Sequence, residues 1–111
     1  MTHGVHDEIG LELARHVAAQ LRESNHALVL ARENLTRWSR QNGGSAALLR
    51  CYAEWEAILG RSVDEICEIL CADTEEGRRL RQNSPFAGVL PAHAIWAIKQ
   101  RIRHQHAAVS A

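Results

Sequence analysis

A chain of 111 residues, 46% apolar, with 13 basic and 13 acidic side chains and no formal net charge, suits one domain that buries roughly 65% of its unfolded surface. Its most apolar run, Ala27–Ala31, is too short to span a membrane, and its first residues lack the basic start and apolar stretch of a secretory signal. Three cysteines without a CxxC pair argue against a disulfide framework and indicate free thiols in a reducing, cytoplasmic setting.

The periodicity predicts an all-α fold, a compact helical bundle of about five helices in a single domain over 1–111. The first helix is long, over about 5–41. Ala14, Leu21, Leu28 and Leu35 recur every seven residues, and Val17, Ser24, Ala31 and Trp38 follow each by three. Together they form a heptad-like seam. Ser24-Asn25 is its weak point, and Asn42-Gly43-Gly44 stops it. Ser45 caps a second helix over 46–59, with an apolar stripe at Leu48, Tyr52, Trp55 and Leu59 ended by Gly60. Ser62 and Glu65 read as a capping box for a third helix over 63–72, which buries Val63, Ile66, Cys67 and Leu70. Asp73 and Glu76 read as a second box, opening a short fourth helix that ends near Gln82. Residues 83–90 form a loop. Pro91 starts a fifth helix to about His106, buried through Ile95, Ile98 and Ile102. No segment alternates with period two, so no sheet is expected.

At 1.5 Å per residue an unbroken first helix would reach roughly 55 Å, against a radius of gyration of about 13 Å for a domain this size. Either it breaks at Ser24-Asn25 and folds back, or a second chain covers it. The expectation is a homodimer through Leu21, Leu28, Leu35 and Trp38.

Groups that carry chemistry are sparse. His3 and His6 have ligand-like spacing, and Cys67 and Cys71 share a helical face, but neither pair finds the further ligands that structural zinc needs. Cys71 sits at a helix C-terminus among acids, which raises its pKa and argues against a nucleophile. There is no calcium-loop pattern and no phosphate-cradling glycine motif. The expectation is a non-enzyme with no cofactor and no metal.

Charge is the more informative signal. No acid follows Glu76, so residues 77–111 carry +6 and residues 1–76 carry −6. Eight acids lie between Glu54 and Glu76, facing Arg61 as the one base among them. The chain is thus an acidic segment, 54–76, joined to a basic one, 77–111. On the last helix Trp96, Lys99 and Arg103 fall at i, i+3 and i+7, on one face. Arg78, Arg79 and Arg81 add three cations. An aromatic ring beside cations is the pairing that nucleic acid uses, by stacking and phosphate contact. Internal pairing with 54–76 is the plain structural account. The expected function is a small partner-binding protein, antitoxin-like or a regulatory accessory subunit, that docks on another protein. The alternative is a nucleic-acid-binding module using the basic third.

Overall fold

Ser24 and Asn25 divide the long periodic segment. In the computed structural model, which describes residues 4–110, α1 spans Gly4–Glu23 and α2 spans His26–Gln41. The Ser24 hydroxyl accepts from the His26 N–H at 3.3 Å, the local side-chain-to-backbone bond by which serine competes with helix. Asn25 then becomes the N-cap of α2. Four helices follow: α3 (Ala46–Leu59), α4 (Val63–Leu70), α5 (Glu75–Arg81) and α6 (Ala92–Ser110). The described residues contain no strand. The fold is all-α as expected, with six helices among the described residues rather than five, because the first is two.

The break removes the overhang. The molecule measures 46 × 31 × 24 Å, shorter than one unbroken helix over 5–41 would be. α2 packs on α1 and α3, while α1 also meets α4, α5 and α6. Ala14, Val17, Leu21, Ala31 and Leu35 of the seam are buried in this chain's own core. Of the residues expected to hold two copies together, Leu21 and Leu35 are therefore covered internally, and Leu28 and Trp38 lie half-buried against the same core. Among the described residues, this chain's own helices cover most of the seam, with Leu28 and Trp38 partly exposed.

Trp55 centres the core at 1% exposure. Its Nε1–H donates to the Leu80 carbonyl at 2.9 Å, and its ring meets Phe86 edge-on at 6.0 Å. Tyr52, Ile58 and Leu59 of α3 are buried beside it, and Ile66, Cys67 and Leu70 of α4 complete that side. Val63, expected in the core, is 38% exposed at the first position of α4. A separate small cluster of Ile9, Ile98 and Ile102, with Val5 and Leu13 against it, attaches α6 to α1.

The caps follow the expected chemistry with one correction. Ser45 and Ser62 accept from the N–H groups of Leu48 and Glu65. The Glu65 carboxylate takes the Ser62 hydroxyl at 3.0 Å. α4 ends at Leu70, with Cys71 as its C-cap. For α5 the cap is Thr74, not Asp73: its hydroxyl accepts from the Gly77 N–H at 3.0 Å. Gly77 is buried, and a Cβ there would lie 2.1 Å from the Ala72 carbonyl oxygen. Only glycine lets α5 come this close to the turn after α4.

Candidate docking face on the last helix

The Pro91 carbonyl accepts from the N–H groups of Ala94 and Ile95 at 3.0 and 3.2 Å. α6 thus begins at Ala92, one residue past the proline, and runs to Ser110. Ile98 and Ile102 turn inward. A 3.6-residue period then sets Trp96, Lys99 and Arg103 on the outward side. Trp96 is 65% exposed, against 1% for Trp55. Lys99 is half-buried along its stem and Arg103 is exposed. Neither cation has an acidic partner among the described residues. The structure therefore leaves this triad free on the face that the spacing predicts.

The loop before α6 is fixed by Asn34, buried on α2. Its Nδ2 donates to the carbonyls of Pro85 and Ala87, both at 2.9 Å. Its Oδ1 accepts from Arg37 Nη2 at 2.6 Å. Sequence reasoning missed this residue. The available signal was an asparagine of modest helix propensity, placed beside seam residue Leu35 in a helix interior.

The edges of α6 are tied to α1 by side-chain contacts to two glutamates. His106 meets Glu8, and Arg101 lies 3.9 Å from Glu12.

Arg78, Arg79 and Arg81 do not join that face. Arg78 pairs with Asp73 at 3.5 Å. Arg79 donates to both Glu54 oxygens, at 3.0 and 2.7 Å, and also bonds Glu76. These bonds hold the Glu54 carboxyl below its usual value and raise Arg79 further. Arg81 Nη1 donates to the Leu70 and Ala72 carbonyls at 3.0 and 2.7 Å, and burial lowers its pKa. The acidic and basic segments thus meet within one molecule. The three arginines expected to reach a partner are engaged at home, Arg78 and Arg79 by carboxylates and Arg81 by carbonyls that end a helix.

The thiols are Cys51, Cys67 and Cys71, all free. Cys67 is buried, and its Sγ lies 3.7 Å from the Ala18 carbonyl. Burial pushes the Cys67 thiol up. It does the same to Cys71, where burial outweighs the neighbouring charges, and Arg15, Arg81 and Arg22 pull the other way. The sequence argument from nearby acids had the right direction and the wrong cause. Among the described residues, no three His, Cys, Asp or Glu side chains gather as metal ligands would. His3 lies outside those residues. No described helix is long and apolar enough to cross a membrane.

Comparison with protein-family models, with curated proteins and with solved structures finds no match.

Proposed function

We propose that this chain is a small non-catalytic docking protein, a regulatory accessory subunit of the antitoxin kind. It presents Trp96, Lys99 and Arg103 of α6 to an acidic surface of a protein partner. The observation that carries this reading is the exposed Trp96 on α6, beside two cations that have no acidic partner among the described residues. Tryptophan and arginine are the side chains most enriched where interface energy concentrates. A cation next to an exposed ring also selects an acidic counterpart.

The internal engagement of Arg78, Arg79 and Arg81 favours protein over nucleic acid. Two phosphate contacts, through Lys99 and Arg103, give a log–log salt slope of about −2 on duplex DNA, where five contacts would give about −4 to −5.

The test is affinity capture from native lysate with tagged full-length chain, with and without nuclease, using wild type and Trp96→Ala/Arg103→Glu. The expected result is a stoichiometric protein that survives nuclease and is lost with the variant. Loss of the captured material on nuclease treatment refutes the protein-docking reading. Equal capture by wild type and variant refutes the α6 face.

A further inference from the structure

Between α1, the 83–90 loop and the start of α6 runs a half-open cleft of about 260 Å³, walled by Leu13, Val17, Phe86, Leu90 and Ile95. It adjoins a smaller polar hollow, and Gly10 and Arg81 border both spaces. Arg81 closes the end of α4 through one nitrogen only, and Gly10 has no packing reason at all. Gly10 sits inside α1, where glycine weakens a helix relative to alanine. A Cβ built there meets no atom within 4 Å, so packing does not demand a glycine. What its absent side chain does is keep the cleft open. Arg81 is half-buried at the junction. Two carbonyls hold its Nη1, while its Nε and Nη2 find no acceptor among the described residues. A guanidinium anchored on one edge presents the other as a preset fork.

We propose that this cleft binds a small apolar monocarboxylic acid. The carboxylate takes the free N–H groups of Arg81, and the hydrocarbon lies along Leu13, Val17, Phe86 and Ile95. At about 30 Å³ per water-sized unit, the cleft admits roughly nine non-hydrogen atoms, the size of a medium-chain acid. A single negative charge suits the hollow better than a phosphate's two. Arg78 and Arg81 line it together with Asp7, which offsets part of their charge. The site lies apart from the outward face of α6 and does not depend on the docking reading.

The probe is octanoate, titrated into the full-length chain and followed by amide NMR shifts. Octanol and acetate serve as controls lacking the charge and the chain respectively. Octanoate is expected to shift the amides of Gly10, Ser84, Gly88 and Ile95 saturably below about 1 mM. Octanol and acetate are expected to bind at least about tenfold more weakly. Gly10→Leu fills the cleft with a good helix former. It should weaken octanoate by at least about tenfold while circular dichroism stays helical. Should that variant not fold, Ala87→Leu, at an exposed position of the opposite wall, makes the same test. The proposal is overturned if octanoate leaves those amides unmoved up to about 5 mM, if octanol binds as well as octanoate, or if a folded, cleft-filling variant binds unchanged.

Discussion

Replacing Gly77 by alanine adds one methyl group at the most crowded of the described glycines. The new Cβ would lie 2.1 Å from the Ala72 oxygen and 2.9 Å from the Ala72 carbonyl carbon, below the 3.0 Å that real Cβ atoms keep. Backbone, not a flexible side-chain tip, must therefore retreat by about 1 Å, a displacement in the range where overpacking costs ~1–3 kcal/mol. The same Ala72 oxygen accepts from Arg81 at 2.7 Å. Disturbing that charged hydrogen bond adds ~1–2 kcal/mol. Alanine's better helix propensity returns ~1 kcal/mol. The net expectation is a loss of about 1–4 kcal/mol, a sizeable share of the ~5–15 kcal/mol typical of a domain. The thermal midpoint should fall by on the order of 10 °C. Urea and thermal unfolding followed at 222 nm measure both. Gly10→Ala is the matched control. Its Cβ meets nothing within 4 Å, so the same substitution should stabilise by about 0.5–1 kcal/mol. If Gly77→Ala is as stable as wild type, or if the two variants shift in the same direction, the close approach of α5 to Ala72 is not as described.

Three other expectations follow from particular groups. Asn34→Ala leaves the Pro85 and Ala87 carbonyls without their donor and should cost about 1–3 kcal/mol. Faster hydrogen exchange should concentrate in residues 83–90, and uniform protection there would contradict the clamp. Glu54 has a depressed folded pKa because of its bonds to Arg79. Its contribution is therefore present above the ordinary carboxylate value and lost as pH falls through the folded one. Glu54→Gln should make thermal stability less sensitive to acid below about pH 5, and an unchanged slope would count against the pair. Cys67 should be the slowest thiol to react with an aromatic disulfide reagent in the native state, because burial both shields it and raises its pKa. All three thiols should react alike in denaturant.

Local features were legible because they depend on neighbours in the chain. The stripe that buries Tyr52, Trp55 and Leu59, the caps at Ser45 and Ser62, and the outward turn of Trp96, Lys99 and Arg103 all follow from helical period and capping chemistry. Assigning the α5 cap to Asp73 was an error of one residue, since Asp73 and Thr74 are both good caps and only the turn geometry chooses between them. Ser24-Asn25 was visible as a weak point, but the seam continued on both sides of it. The pattern alone fits either one helix beside a second chain or two helices packed in one.

Sequence by itself determined the helical class, the boundaries to within a residue or two for most helices, and the division into acidic and basic segments. These are encoded in spacing and composition, which act over a few residues. Only the tertiary structure decided where each charge is spent. Arg79 turns to Glu54, 25 positions earlier. Arg81 closes on the end of α4, and Asn34 reaches Pro85, 51 positions away. The same structure brings Gly10 beside Arg81 along one cleft. Such pairings depend on how the helices cross. Crossing is set by side-chain packing across the whole core, with Trp55 and Gly77 among its tightest points, and no local window of the chain contains that information.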